Sequence, residues 1–333
     1  MIRFVIFSLF FALHANAYSV EPSHDTALDY LQKMSHALQS LNYYGTLIYL
    51  HDGQAETVRI IHKKDQNGEV ERVVHLSGEA REVIRNNNVV TCYLSGSRSV
   101  VVGNRHFSSH IMPQPLNDFD QYATIYTFAI AGEDRVAGKT TKVILISPKD
   151  LYRYGYKLWV DQINGLLLRS EMLDPQGVVL EQLMFADIEI VDEIPPDMLK
   201  PAIASEKFTW YKNEDNQKYT EENAKDNKDW SIVKMPEGFI LTDYFRQIMP
   251  NSNKPAEHMV ISDGFATISV YIEHFGAESQ AFVGTSHVGA LSIFGSILDD
   301  YHVTVVGEVP HSTVQMIAES LKHNSRVNNK SND

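Results

Sequence analysis

The 333-residue sequence contains one cysteine. Cys92 has no second thiol within the chain, so no intrachain disulfide stabilises it, and paired-thiolate zinc sites are excluded. In the apolar run Val89–Leu94 it reads as a small buried residue, not a reactive thiol. Basic residues are also scarce: 29 Lys and Arg stand against 42 Asp and Glu, a formal net charge of −13. That balance argues against a nucleic-acid partner, since affinity for phosphate backbones comes mainly from Lys and Arg. No apolar run after the first 17 residues is long enough to cross a ~30 Å hydrocarbon core, so the chain is not expected to span a membrane.

Catalytic motifs are missing as well. Between Gly132 and Gly138-Lys139-Thr140 lie five residues where a P-loop has four, and a strand-like stretch follows instead of a helix. This reads as a turn entering a strand. Gly284-Thr285-Ser286-His287-Val288-Gly289 is one residue too long for a nucleophile elbow. The histidines form no HExxH pattern. No enzyme activity, metal or cofactor is expected.

Residues 1–17 have the layout of an export signal. Arg3 precedes an apolar stretch from Phe4 to Leu13, and Ala15-Asn16-Ala17 supplies a small-x-small cleavage pattern. As a helix the stretch would be about 15 Å long, half of what a span needs. The position after cleavage holds Tyr18, not the Cys of a lipoprotein. The expected product starts at Tyr18 and carries a net charge of −14, because Arg3 is the one charged residue removed.

Leu28, Leu31, Met34, Leu38 and Leu41 form one apolar stripe, which predicts a helix over 23–41 with Ser23 as its cap. From Tyr43 the period changes to two. Strands are predicted at 43–51, 56–63, 70–77, 82–85, 88–94, 98–102, 124–130, 140–147, 154–161, 166–173 and 178–191. Turn pairs such as Asp52-Gly53 and Asn164-Gly165 separate them. Residues 201–229 read as a linker, charged and poor in aliphatics from 211 onward. A smaller α+β unit follows over 230–323. Its strands are expected near 240–246, 265–273, 281–287, 289–294 and 301–308, with a hairpin turn at Ser262-Asp263-Gly264. A final helix is expected behind a Ser312-x-x-Gln315 capping box. The tail, 324–333, reads as disordered.

In the last three strands of the first unit the alternation sorts residues by face. Tyr154, Tyr156, Leu158 and Val160 share one. So do Leu166, Leu168 and Met172. Opposite them stand mainly charged residues. Such apolar faces line either a packed core or a hydrophobic cavity, and alternation alone does not choose.

Several stretches together resemble the RseB/MucB family. In the first unit these are Ala80-Arg81-Glu82-Val83-Ile84-Arg85, Tyr154 to Asp161 with Gly165 to Glu171, and Leu180-Glu181-Gln182. In the second they are Met235-Pro236-Glu237-Gly238-Phe239, Glu257-His258, Ser262 to Val270 and Val303 to Pro310. The resemblance covers 18–323. It implies an α+β architecture. An unclosed antiparallel β-barrel with a helix, like that of the lipoprotein carriers LolA and LolB, would span 18–200, with a smaller α+β domain over 230–323.

It further implies a periplasmic regulator of the sigma-E envelope-stress response. Such a protein binds the periplasmic segment of a membrane anti-sigma factor (RseA or MucA) and shields it from site-one proteolysis. Lipopolysaccharide or mislocalised lipoprotein would release it. The candidate wall of a cavity for lipid, lipopolysaccharide or acylated protein is then Tyr154, Tyr156, Leu158, Leu166, Leu168 and Met172. The candidate scaffold of the partner surface is Phe265, Ile268, Val270, Val303, Val305 and Glu308, residues that serve equally well as the core of the second unit. A homo-oligomer is compatible with all of this. The alternative is a lipoprotein carrier or chaperone of LolA/LolB type, in which the barrel alone does the work.

Overall fold

The computed structural model describes residues 26–104, 119–212, 217–218, 229–248, 255–276 and 281–324. The expected signal peptide, the cap at Ser23, the linker positions 213–216 and 219–228, and the tail from 325 lie outside the described residues.

Helix α1 (Ala27–Ser40) starts behind Thr26, not Ser23. Thr26 and Asp29 form a reciprocal capping box: the Asp29 amide donates to the Thr26 hydroxyl, and the Asp29 carboxylate accepts from the Thr26 amide. Such a cap contributes about 1 kcal/mol.

The eleven strands read from the alternation are all present. They are β1 (Asn42–His51), β2 (Gln54–Asp65), β3 (Gly68–His75), β4 (Arg81–Asn86), β5 (Val89–Leu94), β6 (Ser99–Asn104), β7 (Tyr126–Val136), β8 (Lys139–Pro148), β9 (Gly155–Asp161), β10 (Leu167–Leu173) and β11 (Val179–Val191). A short 3-10 helix, Phe119–Thr124, precedes β7. The P-loop look-alike is the β7–β8 hairpin turn, with Ala137 and Gly138 both at positive φ.

With β12 (Thr209–Lys212) these strands make one twelve-stranded sheet in the order β12-β6-β5-β4-β3-β2-β1-β11-β10-β9-β8-β7. All neighbours are antiparallel except β12 on β6. Its two edges, β12 and β7, do not pair with each other, so the sheet curls around α1 without closing. The apolar stripe of α1 (Leu31, Met34, Ala37, Leu38) is buried against Ile144, Ile146, Leu158, Val160, Leu167 and Phe185. Full burial of such a side chain contributes roughly 1.5–3 kcal/mol.

Part of the expected linker belongs to this domain. The amides of Ala202 and Ile203 donate to the buried carboxylate of Glu82, and Thr209–Lys212 then adds the parallel edge strand. The aliphatic content of 201–212 is low, but one buried acid and one strand edge supply the hydrogen bonds that hold it.

The second domain is built on β13 (Gln217–Lys218), β14 (Trp230–Ile232), β15 (Ile240–Ile248), β16 (Pro255–Ser262), β17 (Thr267–His274), β18 (Gly284–Val288), β19 (Leu291–Leu298), β20 (Tyr301–Gly307) and β21 (Leu321–His323), with helix α2 (His311–Glu319). Its seven-stranded sheet runs β13-β15-β16-β17-β20-β19-β18, and β14 pairs with β21 separately. Val314, Ile317 and Ala318 of α2 pack on Ile268, Val270, Val303 and Val305, giving this domain its own core.

Two expectations need correction. Strand β16 is central but was not expected: Pro255 occupies its first position, where no ladder donor is needed, and the polar pair Glu257-His258 is buried with Arg246, Phe245 and Tyr271 for neighbours. Ser312 is not a cap. Helix α2 starts after Pro310 with no side-chain cap, and Thr313 instead donates its hydroxyl to the carbonyl of Tyr152 in the first domain.

Candidate functional site

One cavity of about 380 Å³ opens on the concave face of the large sheet. That is within the ~300–1,000 Å³ usual for ligand sites. Its apolar wall comes from Met34 on α1, Val58 on β2, Ile146 on β8, Tyr156 and Leu158 on β9, Met172 on β10 and Phe119. The second domain supplies Gly264, Phe265, Thr267 and Glu308. The site is therefore shared between the domains.

Of the candidate wall, Tyr156, Leu158 and Met172 line the cavity, whereas Tyr154, Leu166 and Leu168 do not. The cause is a bulge between Leu167 and Arg169, which sets Leu167 opposite Val160 and interrupts the alternation at Leu168. Leu166 and Leu168 are consequently packed in the core, at 0% and 1% exposure. Tyr154 lies just before β9, and its hydroxyl meets Ser292 of the second domain. Of the candidate partner residues, Phe265 and Glu308 reach the cavity, while Ile268, Val270, Val303 and Val305 form the buried core of the second domain.

The rim is polar and runs across the ends of β4, β3, β2, β1 and β11. Arg81 donates to Nε2 of His75 (2.7 Å). Burial first, and the Arg81 charge second, hold the His75 ring below the usual imidazole range. Glu56 bridges His75 (3.3 Å) and His51 (3.2 Å). Burial alone would raise its carboxyl, but the hydrogen bonds and charges of the two rings hold it below the ordinary value. Next along the rim Tyr49 donates to Glu181 (2.6 Å), which also accepts the Ala290 amide of the second domain (3.0 Å). Glu308 projects into the cavity. It is exposed to solvent, but the neighbouring protein partly desolvates its carboxyl, and this together with the Glu181 charge pushes it up to about 7.

A turn of the second domain fastens the two halves. Asp263 shapes the turn by accepting the amides of Phe265 (3.0 Å) and Ala266 (2.7 Å) through one oxygen. Its other oxygen accepts Tyr126 Oη (3.0 Å) and Arg153 (2.7 Å), both from the first domain. Neither Arg153 nor the Asp263 side chain is exposed at all. The Arg153 guanidinium also donates to Glu237 O and Asp150, and lies over the Phe239 ring at 4.8 Å. Phe265 then enters an aromatic nest, 4.8 Å from Tyr126, 5.3 Å from Tyr122, 5.9 Å from Tyr156 and 6.4 Å from Phe119 between ring centres.

In the sequence Ser262-Asp263-Gly264 reads as a turn and not as a domain clasp, and no local motif marks Arg153, Glu181 or the β1–β2 wall as part of the site. The period-two alternation of Tyr43, Gly45, Leu47, Tyr49 and His51 carried a usable signal for β1.

The arrangement holds an apolar space with a polar rim, suited to one amphipathic ligand. Among the described residues no group of His, Cys, Asp and Glu is disposed to hold a metal ion. Cys92 is half-buried, and burial pushes its thiol up, away from reactivity. No described helix is long and apolar enough to cross a membrane.

Comparison with known proteins gives a consistent picture. Residues 26–203 match the family model of the MucB/RseB N-terminal domain, and residues 224–322 that of the MucB/RseB C-terminal domain. The sigma-E factor regulatory protein RseB of Haemophilus influenzae is 28% identical over 323 residues, covering 96% of this chain and 98% of the relative. The sigma factor AlgU regulatory protein MucB of Pseudomonas aeruginosa is 30% identical over 303 residues, covering 89% and 90%. Among solved structures, the Pseudomonas aeruginosa MucA/MucB complex matches with a TM-score of 0.69 at 27% identity, over 89% of this chain and 98% of that one.

Proposed function

The chain belongs to the MucB/RseB family of regulatory binding proteins, which are not enzymes, and on that premise we propose that it is a periplasmic negative regulator of an envelope-stress sigma factor. It binds the periplasmic segment of a membrane anti-sigma factor and shields that segment from site-one proteolysis. Lipopolysaccharide or mislocalised lipoprotein, entering the cavity by its acyl chains, releases it. The observation that carries this reading is the shared cavity: the first domain supplies an apolar wall and the second supplies Phe265 and Glu308. A ligand there touches both domains and so couples to their arrangement. A simple carrier needs only the first domain, and would not need a second-domain turn seated in its cavity.

Linkage sets the condition for release: the acyl ligand must favour a state that binds the anti-sigma segment poorly, and the segment must then weaken ligand binding by the same factor. The test mixes the purified protein lacking residues 1–17 with the periplasmic segment of a MucA-like anti-sigma factor from the same organism. A complex that forms at micromolar concentration and dissolves on adding lipid A is expected. Failure to form any complex refutes the reading.

A further inference from the structure

We propose that the turn 262–266 is a built-in competitor for the acyl chain: Phe265 fills the inner end of the cavity, so a chain that reaches this end must lift the turn out and release the second domain from the first. The inference rests on the cavity being an acyl site, and it names the device by which that site would act.

Three observations support it. Phe265 comes from the second domain, yet its ring is surrounded by Phe119, Tyr122, Tyr126, Phe128 and Tyr156 of the first. It is also a lining residue of the cavity, beside Phe119 and Tyr156. Close-packed interiors do not let a phenyl ring and a hydrocarbon chain share one volume. Second, the turn is seated without slack. Gly264 has φ +97°, and a Cβ there would lie 2.5 Å from the Tyr122 ring, so any displacement of Phe265 moves the turn as a unit. Third, that same turn carries Asp263, which holds Arg153 and Tyr126 across the boundary. Lifting Phe265 therefore draws on the main polar clasp between the domains.

Burying a ring and burying a few methylenes gain similar free energy, so the apolar part of the exchange is near balance, and only a chain long enough to bury further methylenes offsets the loss of the clasp. What changes is the domain contact. The occupied state keeps the first-domain wall filled while the turn, and with it the clasp, is free.

The test uses the full protein without residues 1–17, cis-parinaric acid as a fluorescent acyl probe, palmitate as the unlabelled ligand, and small-angle scattering. Phe265→Ala is expected to bind the probe roughly tenfold or more tighter, because the competent state no longer competes with the ring. Gly264→Ala is expected to act in the same direction while keeping the ring. Wild-type protein saturated with palmitate is expected to scatter as a more extended particle, like unliganded Phe265→Ala. If neither wild type nor variants take up the probe, the acyl reading fails and the proposal with it. If wild type and Phe265→Ala bind equally, the acyl reading stands and the competitor is refuted. Tighter binding with no change in scattering refutes the release step. Should Phe265→Ala not fold, Gly264→Ala and the wild-type scattering decide by the same criteria.

Discussion

The buried pair Arg153–Asp263 gives the sharpest test of how the two domains are joined. Asp263→Asn removes one charge and keeps the side chain's shape. The guanidinium of Arg153, at 0% exposure, then retains only Asp150 as a charged partner, and that carboxylate is 27% exposed. Breaking a fully buried pair from one side costs about 3–5 kcal/mol. Because Asp150, Glu237 O and the Phe239 ring still compensate part of the charge, a loss of about 3 kcal/mol is expected, the low end of that range. Arg153→Met should cost a similar amount, by stranding the Asp263 carboxylate with the Tyr126 hydroxyl and two amides. The double variant should be little worse than either single, since removing both charges leaves neither uncompensated. Each domain has its own core, so the loss should fall on the contact between them. Urea unfolding would be followed by tryptophan fluorescence, with Trp159 buried in the first domain and Trp230 in the second. The singles should split one transition into two, and the first-domain transition should keep its midpoint better than the whole. Single-variant effects under about 0.5 kcal/mol, or effects that simply add in the double variant, would refute the assignment of this pair as the clasp.

Two further outcomes follow from the electrostatics. Glu308 has its carboxyl raised to about 7 by partial desolvation at the cavity and by Glu181, so between about pH 4.5 and 7 the folded protein binds a proton that the unfolded chain does not. Stability from this group is present below pH 4.5 and is lost as pH rises to 7. An apolar ligand that expels water from around Glu308 should also bind more weakly as pH rises through 7. Glu308→Gln should flatten both profiles in chemical denaturation and probe binding, and an unchanged slope would refute the link. On β4 of the large sheet, Glu82 is buried against Arg72 (3.0 Å) and the amides of Ala202 and Ile203. Glu82→Gln should free residues 200–212 at a local cost of about 3 kcal/mol. Tryptic cleavage at Lys200, Lys207 or Lys212 should then speed up roughly a hundredfold, read by mass spectrometry, and an unaltered cleavage rate would count against the role of Glu82.

Much of the fold was legible because it rests on local rules. Eleven strands follow a period of two, and pairs such as Asp52-Gly53 take the positive φ that hairpins need. Strand β16 was not legible, because its polar residues are buried with partners that only the fold brings close. The cavity shows the deeper limit. Alternation tells which side chains point inward, but not what stands opposite. Leu166 and Leu168 are packed in the core, while Tyr156 and Met172, a few residues away, line the cavity, and Leu158 belongs to both. Within β10 a single bulge between Leu167 and Arg169 separates Leu166 and Leu168 from Met172. Asp263 shows the same limit from another side. Its role in the turn is written within three residues of chain, where its carboxylate accepts the Phe265 and Ala266 amides. Its partner Arg153 lies 110 residues away, and nothing local to either residue announces the other. Yet the two roles belong to one carboxylate. The turn keeps its shape only while Asp263 accepts those amides, and that shape is what aims the second oxygen at Arg153 and the Phe265 ring at the nest. A change that deforms the turn must therefore act on the domain contact and on the cavity together.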